Sequence, residues 1–166
     1  MNAFQGRVWA FGDDLDTDLI APGRYLMYDL PEIAAHVMEG IRPGFADLVG
    51  QGDIIVAGTN FGSGSSREMA ARALREAGIV AVVAKSFSRI FFRNSINVGL
   101  VPVECAEANV IEEGQTVRID IDIGEVMIID TGRRLASRPL PPEVAAIMEA
   151  GGLVEFLRTR VGGAKS

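Results

Sequence analysis

Two unbroken apolar runs set the frame of this chain. Asp53-Ile54-Ile55-Val56-Ala57-Gly58 and Ile79–Ala84 each read as a strand buried on both faces. Between them lie a glycine- and serine-rich loop, Thr59–Ser66, and a helix-patterned segment, Arg67–Ala77. Met69, Ala70, Ala73, Leu74 and Ala77 fall on one helical stripe, and Gly78 stands where a C-cap glycine belongs. Strand, loop, helix and strand in that order predict a parallel pair joined by a right-handed crossover.

The flanking segments fit around this unit. Gly6–Phe11 reads as a short strand, followed by an aspartate-rich loop, Gly12–Asp18, that Pro22 and Gly23 continue. Pro31–Met38 reads as a short helix, and Ile41–Gly52, broken by Pro43 and glycines, as irregular. Ser86–Ser95 is expected to be helical and Leu100–Glu104 a third buried strand. Gln115–Ile123 alternates Val117, Ile119, Ile121 and Ile123 with polar residues, the pattern of a half-exposed antiparallel strand. Gly124-Glu125 turns it into Val126–Ile129, a hairpin. Pro141 and Pro142 open a C-terminal helix, Gly151-Gly152 interrupts it, Leu153–Val161 resumes it, and Gly162–Ser166 is expected to fray. The expectation is a mixed α/β layered fold, with central parallel strands and a hairpin beside them, in one domain over residues 1–166.

Composition excludes several classes of function. Acidic residues outnumber basic ones, 22 to 16, and the formal charge is −6, so there is no uniform basic footprint for nucleic acid. One cysteine, Cys105, excludes an internal disulfide. Together with the one histidine, His36, it cannot complete a four-ligand zinc site or hold an iron–sulfur cluster by thiolates. No apolar run approaches the roughly 18 residues of a membrane span. The opening Met1–Trp9 lacks the basic-then-apolar order of a signal peptide, so a cytoplasmic location is expected.

Chemistry concentrates in Gly58-Thr59-Asn60-Phe61-Gly62-Ser63-Gly64-Ser65-Ser66-Arg67-Glu68. Gly62 and Gly64 permit positive φ and close approach of a ligand. Ser65 or Ser66 would sit near a helix N-terminus, where the dipole favours negative charge, and Arg67 adds a fork for a carboxylate. An anion site with a central hydroxyl is one reading; ordinary helix capping by Ser, Ser and Glu68 is the other. A P-loop would need a lysine between Gly58 and Arg67. A dinucleotide fingerprint would need a third glycine where Arg67 stands. A nucleophile elbow would need Gly-x-Ser-x-Gly, which is missing. A site for a small carboxylate or phosphate remains.

Three segments carry a resemblance: Asp16-Thr17-Asp18-Leu19-Ile20-Ala21-Pro22, Gly62–Glu68, and Ala84-Lys85-Ser86-Phe87-Ser88-Arg89-Ile90-Phe91-Phe92-Arg93-Asn94-Ser95-Ile96-Asn97-Val98-Gly99-Leu100. In this order they resemble the small subunits of 3-isopropylmalate dehydratase and, through them, the swivelling domain of the aconitase family. The resemblance spans about Gly6 to Glu104. It implies a layered β/β/α swivelling domain, with C-terminal helices from about residue 141.

The resemblance further implies a hydro-lyase active only with a large subunit. That partner would carry a [4Fe–4S] cluster, and this chain would bind no cofactor. The implied reaction, in leucine biosynthesis, interconverts 2-isopropylmalate and 3-isopropylmalate by dehydration and rehydration. By resemblance Ser65 is the catalytic base and Asp18 a second catalytic residue. Ser66, Arg67, Thr17 and Gly64 bind substrate, and Arg24-Tyr25-Leu26-Met27-Tyr28 form a specificity loop. Homoaconitase-type relatives carry an arginine in that loop for a third carboxylate; here the place after Tyr25-Leu26 is Met27, which suits an isopropyl group. Arg24, which could swing in, and simple core packing of Met27 are the competing readings. Mobility is expected of this loop in the isolated chain.

The family often has cysteine at Ser63 and alanine at Ser88, changes with no evident consequence. Asp13 and Asp14 are read as turn formers. His36 is read as structural or exposed, and Cys105 as an inert small hydrophobe. The Lys85–Arg93 positives read as local interface or steering charges. Two alternatives stand beside the main reading: a homoaconitase or dimethylmalate-type small subunit, and a non-enzymatic small-anion module. Whether the isolated chain forms homo-oligomers stays open.

Overall fold

The computed structural model describes residues 3–65 and 67–164. Its seven strands are β1 (Ala3–Ala10), β2 (Asp53–Ala57), β3 (Ile79–Ala84), β4 (Val101–Glu104), β5 (Thr116–Asp120), β6 (Glu125–Ile128) and β7 (Arg133–Ala136). They form one sheet in the order β4-β3-β2-β1-β5-β6-β7. β1 to β4 pair in parallel; β1–β5, β5–β6 and β6–β7 are antiparallel. The helices are α1 (Thr17–Ile20), α2 (Leu30–Ala34), α3 (Phe45–Leu48), α4 (Glu68–Ala77), α5 (Arg89–Val98), α6 (Pro142–Ala150) and α7 (Leu153–Ala164).

The central strands are buried on both faces because apolar residues fill both sides of the pleat. Ile54 and Val56 of β2 face one core, with Ala81 and Val83 of β3 and Val101 and Val103 of β4. Ile55 and Ala57 face a second core under α1, α2 and α4, packed by Ile20, Ile33, Phe45, Ala70 and Leu74. The antiparallel strands are one-sided. Val117, Ile119, Val126, Ile128 and Leu135 all join the first core, while Arg118, Arg133 and Arg134 are exposed.

The sheet curls until its ends meet over that first core. Past the two edge strands, Arg138 N donates to Glu104 O at 2.9 Å and the Cys105 thiol to Ala136 O at 3.5 Å. This backbone link shields edges that would otherwise invite pairing with another chain. Ala145 and Met148 of α6 complete the enclosed core. Two β layers and an outer helical layer result, as the resemblance implied.

Several boundaries differ from those expected. β1 begins at Ala3 because Ala3–Arg7 pair with β5, a contact no local pattern announces. The segment expected to be irregular holds α3, whose Phe45 is fully buried. The helix expected over Pro31–Met38 stops at Ala34 and continues as turns. The helix expected from Ser86 begins at Arg89, since Ser88 caps it by accepting from Phe91 N. Ile123 is exposed beyond the end of β5. β7, charged along half of its length, was not anticipated. α7 runs to Ala164, past the expected fraying point, and Lys165 and Ser166 lie outside the described residues.

Leu74 is fully buried where α4 meets the sheet. Leu74→Ala should therefore cost about 2–5 kcal/mol of stability, read as a fall in the urea midpoint at unchanged slope. A loss near zero would mean that α4 does not pack as described.

Candidate active site

Loops at the carboxyl ends of β1, β2 and β3 converge, the place where parallel sheets present ligand sites. Phe11 N donates to Val56 O, Gly58 N to Gly12 O and Lys85 N to Gly58 O, so the three loops leave the sheet bound to one another. Beyond that, Gly62 N donates to Leu15 O at 2.7 Å and Thr17 N to Ser63 O at 2.8 Å. Asp13 and Asp14 do not form local turns of their own, contrary to expectation. The Asp13 carboxylate accepts from Thr59 N at 2.8 Å, and that of Asp14 from Asn60 Nδ2 at 3.3 Å, across the two loops. Asp16 caps α1, accepting from Leu19 N at 2.8 Å.

Gly62 explains why a glycine stands there. Its φ is +81°, and an added Cβ would lie 2.2 Å from Phe91 Cγ. The loop therefore rests directly on α5. Ser88 reinforces this contact, because its hydroxyl donates to Gly62 O at 2.8 Å while capping the helix. The serine at this position thus has a consequence that sequence reasoning missed.

Ser65 is exposed, and its hydroxyl lies 3.3 Å from that of Thr17, which is buried. Thr17 Oγ1 also lies within 3.2 Å of Ser65 O, to which it can donate. The capping alternative does not hold for Ser65: the N-cap of α4 is Arg67, whose own side chain makes no capping hydrogen bond. Ser66 lies outside the described residues. Gly64, at φ +98°, has room for a Cβ only in contact with Asp16 and Thr17, each 3.5 Å away.

Arg67 carries the sharpest electrostatic signal of the site. Its Nη1 is buried without a hydrogen-bond partner and lies 3.6 Å from Asp18 Oδ1. An unsatisfied buried donor on a cation is costly, and a carboxylate ligand would satisfy it. Asp18 Oδ1 in turn accepts from Gly23 N at 2.9 Å. Thr17, Asp18, Gly64, Ser65 and Arg67 are thus brought together.

The Arg24–Tyr28 segment starts against this group, since Gly23 packs by Asp18 and Arg67. A 3-10 turn spans Gly23–Tyr25. Tyr25 and Leu26 pack against the second core, whereas Met27 is 93% exposed, which removes core packing as the reason for that residue. Arg24 does not point freely. Its guanidinium pairs with Glu39 Oε1, which also accepts from Tyr25 Oη at 2.9 Å. His36 Nδ1 lies 2.7 Å from Glu39 Oε2, and the His36 ring stacks on Tyr25 at 3.7 Å between centroids. His36 lies beyond α2, not on the helix expected over Pro31–Met38, and its contacts give it the structural role read from the sequence. Glu39 was missed altogether, although the i, i+3 spacing from His36 was visible.

Cys105 is buried, and burial pushes its thiol up, as befits an inert hydrophobe. Among the described residues no group of His, Cys, Asp or Glu side chains could hold a metal ion. The residues of this chain therefore do not fit an iron–sulfur cluster.

Residues 47–108 match the aconitase C-terminal domain family. The chain is 52% identical over 159 residues to the 3-isopropylmalate dehydratase small subunit of Nautilia profundicola, covering 95% of this chain and 96% of that one. It is also 52% identical over 157 residues to the methanogen homoaconitase small subunit of Methanothermobacter thermautotrophicus, covering 93% and 91%. The crystal structure of a 3-isopropylmalate dehydratase from Methanocaldococcus jannaschii superposes with a TM-score of 0.90 at 45% identity, covering 99% of each chain.

Hydrogen bonding to Glu39 raises the His36 pKa above 6.5, and His36, Tyr25 and Arg24 hold the Glu39 carboxyl at about 2. A raised histidine contributes stability that is complete below the ordinary value and lost as pH climbs through the folded one. The depressed carboxyl contributes above its ordinary 4.5 and loses that as pH falls toward about 2. The pair therefore stabilises most between 4.5 and 6.5. His36→Gln should cost up to about 1 kcal/mol near pH 5.5 and less near pH 9, measured by urea unfolding at both values. An equal cost at the two values would refute the ion pair.

Proposed function

Because the chain belongs to the family of 3-isopropylmalate dehydratase small subunits, we propose that it closes one side of a hydro-lyase active site shared with a larger subunit. The substrate is 2-isopropylmalate, converted through the dehydrated alkene to 3-isopropylmalate and back. The observation that carries this reading is the exposed Ser65 hydroxyl, held by Thr17 ahead of the start of α4, where the N-cap residue Arg67 keeps a buried, unsatisfied Nη1.

Those residues divide the work as follows. Ser65 removes the proton from the carbon next to a carboxylate and returns it on rehydration. A serine alkoxide is unstable in isolation; the Thr17 hydroxyl, the α4 dipole and the Arg67 charge stabilise it here. Arg67 binds a substrate carboxylate, with Ser66 and the Gly64 backbone beside it. Asp18 orients Arg67 and anchors the root of the specificity loop through Gly23 N. A [4Fe–4S] cluster, which would be held by the partner and not by this chain, would supply Lewis-acid chemistry at the substrate hydroxyl.

Met27 supports an apolar substituent over a third carboxylate, because a buried carboxylate without a partner is costly. The homoaconitase reading has its own support in the Methanothermobacter relative. Arg24, the cation that a tricarboxylate would need from this loop, is already paired with Glu39. No helix among the described residues is long and apolar enough to cross a membrane, and we place the assembly in the cytoplasm.

The test is anaerobic reconstitution with the cognate large subunit, assayed on 3-isopropylmalate, homoaconitate and aconitate. Activity confined to isopropylmalate is expected, with none from the chain alone. Activity only on tricarboxylates would overturn the substrate, and no activity on any would reduce the loop to a plain anion site. Ser65→Ala should lower kcat by about 100- to 10,000-fold without loss of fold; a kcat within threefold would remove Ser65 as the base. Met27→Arg should shift the ratio of kcat/KM toward homoaconitate by at least about tenfold. An unchanged profile would refute the specificity loop.

A further inference from the structure

The loop from Arg24 to Tyr28 carries two side chains that would act on a substrate in opposite ways. Arg24 would attract a third carboxylate and Met27 would refuse one. Arg24 follows directly on Gly23, whose amide donates to Asp18 and which lies against Arg67, so its backbone is tethered at the edge of the site. What decides between the two is a residue outside the loop.

We infer that Glu39, backed by His36, is a specificity-positioning residue that keeps Arg24 paired so that the loop offers Met27 to the substrate. Each atom of the Glu39 carboxylate is engaged. Oε1 takes the Arg24 guanidinium and the Tyr25 hydroxyl, and Oε2 takes His36 Nδ1. The Tyr25 ring carries two further contacts: Arg24 lies 4.9 Å over its centroid, and the His36 ring stacks on it with the planes 3° apart. Glu32 Oε1 lies 3.4 Å from His36 Nε2. The shared Glu39 oxygen and the cation–ring contact hold Arg24 and Tyr25 to one another as well as to the carboxylate. Met27, two residues on, has no such restraint and stands exposed.

The inference rests on the proposed role of the loop, and the experiment separates the two. Because His36 is the one histidine, its ring-proton NMR titration in the full chain reads the cluster without ambiguity. The midpoint should lie above 6.5 in the native chain and fall in Glu39→Gln. In the reconstituted enzyme, Glu39→Gln should raise the homoaconitate-to-isopropylmalate ratio of kcat/KM at least about tenfold, through a lower KM for the tricarboxylate. Glu39→Gln combined with Arg24→Gln should reverse that gain, because the freed guanidinium is its source. A merely structural role would lower both substrates together and leave no gain to reverse.

Glu39→Asp, shorter by one methylene, should give intermediate values in both readouts and serves if Glu39→Gln does not fold. An unchanged His36 midpoint, or a parallel loss on both substrates, overturns the inference. If Met27→Arg alters the profile and Glu39→Gln does not, the positioning role falls and the loop reading stands. If neither alters it, the loop reading falls and takes the positioning role with it.

Discussion

The site depends on backbone hydrogen bonds between loops that are far apart in sequence. Gly62 N to Leu15 O and Thr17 N to Ser63 O bind the loop after β1 to the loop after β2. Each loop buries one apolar side chain, Leu15 or Phe61, and satisfies polar backbone groups of the other. Gly62 sits at the centre because only a residue without Cβ can adopt its positive φ and also rest on the Phe91 ring. Once the loops are joined, the Ser65 and Thr17 hydroxyls meet as a consequence, and Arg67 is left with a donor that no hydrogen bond among the described residues satisfies.

A second set of contacts, electrostatic in origin, extends outward from that junction. Asp18 links Arg67 to the Gly23 amide, and the Gly23–Tyr25 turn carries the chain on to Glu39 and His36. Exposed ion pairs are individually weak. Here several donors converge on a single carboxylate and an aromatic stack restricts their geometry, which gives the set directional value beyond its contribution to stability. A chain with a net negative charge thus carries an arginine in the segment that follows its site yet keeps the guanidinium occupied.

The parallel unit was legible because both of its strands are apolar throughout and the helix between them has a clear stripe. Their expected bounds agree with those of β2, α4 and β3 to within a residue. β7 was not legible: Arg133-Arg134-Leu135-Ala136 has a single buried side chain, and the strand exists because β6 offers an edge to pair with. α3 was hidden for a related reason, since Pro43 and Gly44 mark a break without indicating that Phe45 fills the second core. Asp13, Asp14 and Ser88 were misread because their partners lie on other segments, at separations that no local pattern encodes; of the Glu39 contacts only the i, i+3 spacing from His36 is local, and those to Arg24 and Tyr25 are not.

From sequence alone came the mixed α/β class, the order of the central elements, the anion-seeking loop and the family. These follow from periodicity, glycine placement and residue types, which act over a few positions along the chain. Tertiary structure alone decided that the sheet curls until Arg138 and Glu104 meet, that Ser65 faces Thr17 and does not cap a helix, and that Arg24 is held by Glu39 while Met27 is left exposed. These depend on which distant groups satisfy one another's hydrogen bonds and charges, and that is settled only when the chain has packed.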